Sequence, residues 1–440
     1  MSAPFRILWA LAALLVLAGC GPVANEVAGR WEGFTEGGYR YVLVLDPGGA
    51  GKMSKLGGPG GFRETKVRWD YDSSAVVVRS ASGSEFRWMP AGNRLVAKDS
   101  GFELYRSGPL AGYRYPLAAA VVALLATLVL TPFVKRLAER FGAIDDPKGD
   151  ERRVHRTPIP RWGGIAIYGG ILLGLLAVLP VAFPAARPFP PYLVAMLGIG
   201  ALIMVFGALD DLYQFRALWQ MLFLLAVGVA VQFFYSGGDR VQISGIVAPF
   251  SGQPGRWVPF GWAAVPITAL YIFVVTKTMD TIDGLDGLAA GIAAIAASTL
   301  AVIAVYEGQP RVAIVVAAIA GASLGFLRHN FNPAKIFMGT GGAQVLGFLL
   351  ACVSIVGAFK TAAAVAMLVP MLVFSVQLFD AVFVVVRRIR SRQPITKADK
   401  SHIHHTLLGM GLTQRQVVGI LYLVDAILCA LLLIGIRLYG

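Results

Sequence analysis

The apolar pattern changes period once along the chain. From Glu26 to about Arg106 apolar and polar residues alternate. Val67, Trp69 and Tyr71 share one face of Lys66–Tyr71, and Tyr39–Leu45 and Glu85–Met89 read the same way. Turn-forming clusters separate these runs at Asp46-Pro47-Gly48-Gly49, Asp72-Ser73-Ser74 and Ala91-Gly92-Asn93. This predicts a small antiparallel β sandwich or partial barrel with Trp31, Trp69 and Trp88 in its core. From Tyr115 onward the alternation gives way to apolar runs of about 20 residues, each long enough to cross a bilayer. The expected spans are approximately 115–134, 163–183, 191–209, 217–236, 262–279, 288–306, 311–327, 343–359, 362–386 and 416–438. The fold class is therefore a polytopic α-helical membrane protein of about ten transmembrane helices with a small N-terminal all-β extracytoplasmic domain.

The N-terminus supplies a direction. Ile7–Val16 is apolar but too short to span, and Leu17-Ala18-Gly19-Cys20 follows, the layout of a secretory signal. The LAGC ending resembles the lipobox of bacterial lipoproteins, whose cysteine is diacylated. The expected organisation is a lipoprotein-type signal peptide over 1–19, the β domain over 20–108 anchored at Cys20, and a transmembrane domain over 109–440. An exported N-terminus makes the first span run inward. The loops Lys135–Arg161, Asp210–Arg216, Lys277–Asp286, Arg328–Lys335 and Arg387–His405 are then cytoplasmic. They hold most of the membrane part's basic residues, so the positive-inside rule agrees. The external loop Gly237–Phe260 alternates and suggests a hairpin.

Composition narrows the class further. The 440 residues are 56% hydrophobic and 15% charged, which excludes an ordinary soluble domain. The net charge of +14 belongs to the cytoplasmic loops, and no nucleic-acid motif accompanies it. Cys352 and Cys429 lie inside apolar runs, so there is no disulfide framework or zinc spacing.

Candidate chemistry gathers on one membrane side. In Thr276–Gly291, TKTMDTIDGLDGLAAG, the residues Lys277, Asp280, Asp283 and Asp286 follow one another at intervals of three. On a helix the three carboxylates would fall within an arc of about 120°. Carboxylates at a membrane edge are costly without a cation, and such oxygen ligands suit Mg²⁺ bridging to substrate phosphates. A solvated loop with two Asp-Gly turns is the alternative. The first loop carries Asp145-Asp146-Pro147, Arg152-Arg153-Val154-His155 and Pro158–Gly164, where arginines between prolines can clamp an anionic head group. The second holds the adjacent pair Asp210 and Asp211. The fourth holds Arg328–Lys335 and the fifth Asp399–His405. All five histidines, His155, His329, His402, His404 and His405, fall in these loops, the pattern of a phosphate-and-metal site at the cytoplasmic surface.

These loops resemble the membrane polyprenyl-phosphate N-acetylhexosamine-1-phosphate transferases over about Gly142–Ile420. The matching motifs are Asp145–Gly164, Asp210-Asp211, Asp283-Gly284-Leu285-Asp286-Gly287, Phe331-Asn332-Pro333-Ala334-Lys335 and His402-Ile403-His404-His405. The H-x-H-H form is similar to the undecaprenyl-phosphate GlcNAc-1-phosphate branch; the β domain is an addition to the family core. The resemblance implies attack of undecaprenyl phosphate on a UDP-N-acetylhexosamine, with release of UMP and the start of a cell-envelope glycan such as lipopolysaccharide. It implies Mg²⁺, with Mn²⁺ as the substitute, held by Asp210 and Asp211, to which we add Asp280 as an expected metal ligand of this chain. Asp210, Asp211, Asp283, Asp286, His402, His404 and His405 are the implied catalytic set. Arg152, His155, Arg161, Lys277, Asn332 and Lys335 are the implied substrate-binding set. The setting is the bacterial inner membrane with a cytoplasmic active site, and a homodimer is compatible.

The chain departs from the family pattern, which usually has asparagines at Lys277 and Asp280 and an aspartate at Thr340. We expect Asp280 to supply the charge lost at Thr340; a plain Lys277–Asp280 ion pair is the alternative. Two other classes stay open at this point: a weakened homologue that binds polyprenyl phosphate without turnover, and a transporter of a lipid-linked substrate.

Overall fold

A computed structural model describes residues 29–107, 113–358 and 403–439, apart from short breaks in loops, together with residues 374 and 379. The expected signal peptide, Cys20 and the span 362–386 lie outside the described residues.

The alternating segment forms eight strands: β1 (Gly29–Phe34), β2 (Arg40–Leu45), β3 (Ala50–Leu56), β4 (Arg63–Asp72), β5 (Ala75–Ser80), β6 (Glu85–Pro90), β7 (Arg94–Ala97) and β8 (Glu103–Ser107). Each pairs antiparallel with the next, and β1 pairs with β8, so the sheet closes into a barrel. Closure removes both sheet edges, which a sandwich or partial barrel would have left open. The register puts Trp31 opposite Leu43 and Leu43 opposite Met53, and on the far side Val76 opposite Trp88. Trp31, Trp69 and Trp88 are buried together with Leu43, Leu45, Val67, Val78, Leu95 and Leu104. An eight-stranded barrel is about wide enough to be filled by such side chains. At the β2–β3 turn Gly49 sits at φ 81°, where a side chain would be strained, and its amide donates to the Asp46 carbonyl.

The apolar runs form α1 (Arg114–Phe141), α2 (Gly163–Ala182), α3 (Pro191–Tyr213), α4 (Ala217–Ala230), α5 (Ala264–Ile282), α6 (Leu288–Tyr306), α7 (Pro310–Asn330), α8 (Gly339–Ala358), the short α9 (Ile403–Gly409) and α10 (Gln414–Tyr439). Eight of these helices are long and apolar enough to span among the described residues; Ala217–Phe233 is apolar but shorter. The chain is a multi-pass membrane protein with a separate β barrel. The segment between α4 and α5 contains two short ladders, β11 (Tyr235–Ser236) with β12 (Asp239–Arg240), and β13 (Gly245–Val247) with β14 (Trp257–Pro259).

The most buried span is α8, which packs against α3, α5, α6 and α7. Close approach is possible because glycines meet backbone to backbone. A Cβ on Gly207 of α3 would run into Gly341, and one on Gly164 of α2 into Gly342. Helices in lipid lack a hydrophobic drive to associate, so small residues at the seam supply the packing instead.

Candidate active site

The first loop closes on the start of α8. Two short strands, β9 (Ile144–Asp145) and β10 (Ile159–Pro160), pair antiparallel. The Phe337 amide then donates to the Pro160 carbonyl, and the Gly163 and Gly164 amides donate to Phe337 and Met338. Between them Trp162 is held at φ 80°, a costly conformation for a non-glycine residue. Its indole Nε1 donates to the Ala208 carbonyl of α3 at 3.1 Å, which keeps it there. The result aims Arg161 at two carboxylates. Its guanidinium lies 3.0 Å from Asp145 and 3.6 Å from Asp211.

The Asp210-Asp211 pair divides its work. Asp210 Oδ1 accepts from the Phe215 amide at 2.8 Å and from Gln220 Nε2 at 2.9 Å, so it closes the turn between α3 and α4. Asp211 Oδ1 accepts from the Thr340 amide at 3.1 Å. Its side chain is only 2% exposed.

The three carboxylates after Thr276 do not share one helical face. α5 ends at Ile282, Asp283 caps it, and Gly287 at φ 82° turns the chain into α6. The two Asp-Gly pairs break the helix, so the side chains diverge. Asp280 Oδ2 pairs with Lys277 at 2.6 Å, and Gln344 Nε2 of α8 lies 3.4 Å from it. Lys277 also donates to Gln220 Oε1 at 2.9 Å, which links Asp210, Gln220, Lys277 and Asp280 in one chain. Asp286 Oδ2 accepts from Asn332 Nδ2 at 2.9 Å and the Ala334 amide at 3.0 Å. Asn330 receives the Gly287 amide and donates to the Ile336 carbonyl. These bonds hold the loop after α5 and the loop after α7 together.

Asp283 stands among Asp280, Asp211 and Asp286, opposed by Arg161. Its carboxyl is pushed up to about 7, first by burial and then by the charges of Asp280 and Asp211. The sign follows directly. A carboxyl raised above its unfolded value stabilises the fold when protonated, fully below about 4, and that contribution is lost as pH rises through about 7. Thermal melting of the metal-free protein should therefore drop between pH 5 and 8, and Asp283→Asn should flatten that drop. An unchanged slope in Asp283→Asn would refute this environment.

The remaining expected residues are distributed unevenly. Arg152, His155 and His402 lie outside the described residues. His404 and His405 lie on α9, their side chains outside the description. Lys335 is exposed, with its amide bonded to the His329 carbonyl. His329 bonds back to the first span. Its Nε2–H donates to the Leu128 carbonyl of α1 at 3.3 Å. Pro132 lies inside α1 four residues later and has no N–H for that carbonyl. His329 thus caps a helix defect. Among the described residues no three His, Cys, Asp or Glu side chains gather as a metal cage, Asp210, Asp211 and Asp280 included. Asp425 of α10 is fully buried, and neither oxygen has a hydrogen-bond partner among the described residues.

Sequence reading missed Gln220, Gln344, Gln414, Arg415 and Tyr422. Polar residues within apolar spans were the available signal for Gln220, Gln344 and Tyr422, since they are rare there unless bonded.

The profile of glycosyl transferase family 4 matches residues 193–358, which run from α3 to the end of α8. The chain is 38% identical over 312 residues to a probable undecaprenyl-phosphate N-acetylglucosaminyl 1-phosphate transferase of Bacillus subtilis, covering 71% of this chain and 82% of that protein. It is 33% identical over 347 residues to a decaprenyl-phosphate N-acetylglucosaminephosphotransferase of Mycobacterium tuberculosis, covering 71% and 81%. It is 24% identical over 311 residues to an undecaprenyl-phosphate alpha-N-acetylglucosaminyl 1-phosphate transferase of Escherichia coli, covering 70% and 80%. With relatives matched over most of their length, the chain belongs to glycosyl transferase family 4, among the membrane polyprenyl-phosphate N-acetylhexosamine-1-phosphate transferases.

Proposed function

We propose that this protein transfers N-acetylglucosamine-1-phosphate from UDP-N-acetylglucosamine to undecaprenyl phosphate, at the cytoplasmic face of a bacterial inner membrane. A lipid phosphate oxygen attacks the β-phosphorus. A new phosphorus–oxygen bond forms, and the bond to the oxygen bridging the two phosphates breaks. That oxygen leaves on UMP with the electron pair. The reaction calls for positioning and charge neutralisation rather than covalent help.

The observation that carries the reading is the grouping of Arg161 with Asp145 and Asp211, next to Asp283 among further carboxylates. This surplus of carboxylate charge fits Mg²⁺, which takes one or two carboxylates and completes its shell with water and substrate phosphates. Asp211 and Asp283 would hold it. When bound, it supplies neutralisation of the diphosphate charge. Arg161 orients Asp211, and Lys277 and Lys335 offer ammonium groups to phosphates. Asp210 and Asp286 position the turn and loop that carry the others. The relatives' names support the lipid phosphate acceptor and the N-acetylglucosamine phosphate.

UMP release from UDP-N-acetylglucosamine by the full chain in undecaprenyl-phosphate micelles tests this. Release should require Mg²⁺. Metal-independent release, or none with any UDP-N-acetylhexosamine, overturns it. Binding of polyprenyl phosphate without turnover is the second reading. It is favoured by Thr340, whose side chain brings no carboxylate, and by the Lys277–Asp280 pair, which neutralises Asp280. Release that appears only in Thr340→Asp would establish that second reading.

A further inference from the structure

Two loops meet at the site, and neither lies in regular structure. Asp283–Gly287 links α5 to α6, and Phe331–Met338 links α7 to α8. They hold each other through Asp286 and Asn330. A third element reaches both. Gln414 Oε1, at the start of α10, accepts from Asn332 Nδ2 at 2.7 Å, the same amide that donates to Asp286. Arg415 donates from Nε at 3.2 Å and Nη2 at 2.9 Å to the Asn332 carbonyl. Two turns further along, the Tyr422 hydroxyl donates to the Gly287 carbonyl at 2.5 Å. All of these contacts fall on Asn332, which itself donates to Asp286, or on Gly287, which follows Asp286 in the chain. Room for the last one depends on Gly291, where a Cβ would run into the hydroxyl end of the Tyr422 ring.

We propose that α10 is the brace of the active site, with Gln414, Arg415 and Tyr422 as positioning residues that set the Asp283–Gly287 loop and the Phe331–Met338 loop relative to each other. α10 follows α9, which carries His404 and His405, after a short turn at Gly411. The brace therefore also connects the histidine segment to these two loops. This rests on the transferase reading. Its consequence is specific: loosening the brace misplaces groups that act in the transition state, so turnover falls more than substrate affinity. A misplacement of about 1 Å costs on the order of a hundredfold in rate.

The experiment compares UMP release by the full chain, Tyr422→Phe, Gly291→Ala, Arg415→Ala and Arg415→Lys, with lipid-exposed Leu431→Ala as control. Tyr422→Phe and Gly291→Ala should lower kcat by about ten- to a hundredfold with KM for the UDP-sugar within about twofold. Arg415→Lys should regain part of the Arg415→Ala loss, because an ammonium still donates to the Asn332 carbonyl. Hydrogen exchange of segments 283–291 and 331–338 is followed in the same proteins and should be faster in Tyr422→Phe. Turnover in Tyr422→Phe equal to that of Leu431→Ala, or a loss confined to KM, overturns the proposal. An inactive native chain counts against the transferase reading alone. Exchange then decides: faster loops in Tyr422→Phe support the brace, and unchanged exchange removes it.

Discussion

Asp211→Asn should lower metal-dependent UMP release by at least about a thousandfold, equivalent to about 4 kcal/mol of transition-state stabilisation. The substitution is nearly isosteric. An asparagine oxygen can still accept the Thr340 amide, so the start of α8 keeps its anchor. What disappears is the negative charge facing Arg161 and, in the proposed mechanism, a metal ligand. Arg161 would then turn wholly to Asp145, 3.0 Å away. Asp145→Asn provides the comparison. It weakens one side of the guanidinium clamp but leaves the Asp211 charge in place, so its loss should be about tenfold. The ratio between the two variants is the decisive quantity, read as kcat at saturating substrates with unfolding checked in parallel. Equal losses would place both aspartates in one structural clamp and remove Asp211 from the chemistry.

Lys277→Met should give the largest loss of stability within the site, about 2–3 kcal/mol. One ammonium serves two acceptors, Asp280 Oδ2 at 2.6 Å and Gln220 Oε1 at 2.9 Å. Without it Asp280 keeps its charge with only the longer Gln344 contact, beside Asp283 and Asp211. Gln220 loses a donor as well. The Lys277 side chain is 37% exposed, so solvent softens the penalty below that of a fully buried pair. Lys277→Asn combined with Asp280→Asn removes both charges and leaves amides able to bond at i,i+3. It should recover all but about 1 kcal/mol. Denaturant unfolding in detergent, run as a double-mutant cycle, checks this. Additive losses would mean that the pair does not couple. A stable double variant with a weakened UDP-sugar KM would assign Lys277 to phosphate binding.

The class of the protein was legible from period and length. Alternation such as Val67, Trp69 and Tyr71 survives as a barrel face because a strand's side chains must alternate, whatever surrounds them. The spans are legible for a similar reason: lipid offers the backbone no hydrogen-bond partner, so about 20 apolar residues become a helix. The five loops stood out as candidate chemistry because charged and histidine residues are costly near a bilayer unless they serve a site.

Sequence by itself therefore determined a β unit followed by membrane helices, and singled out the loops proposed to hold the phosphate chemistry. Tertiary structure decided what each polar group does, because that depends on partners far along the chain. Asp280 and Asp286 look equivalent at a spacing of three. Yet Gly287 turns the chain between them and α6, sending one carboxylate to Lys277 and the other to Asn332, 46 residues away. His329 reads as one of five loop histidines, and only the fold shows that Pro132 on α1 leaves the Leu128 carbonyl for it to cap, 201 residues away. Closure of the barrel likewise required β1 to meet β8, a pairing that no local period specifies.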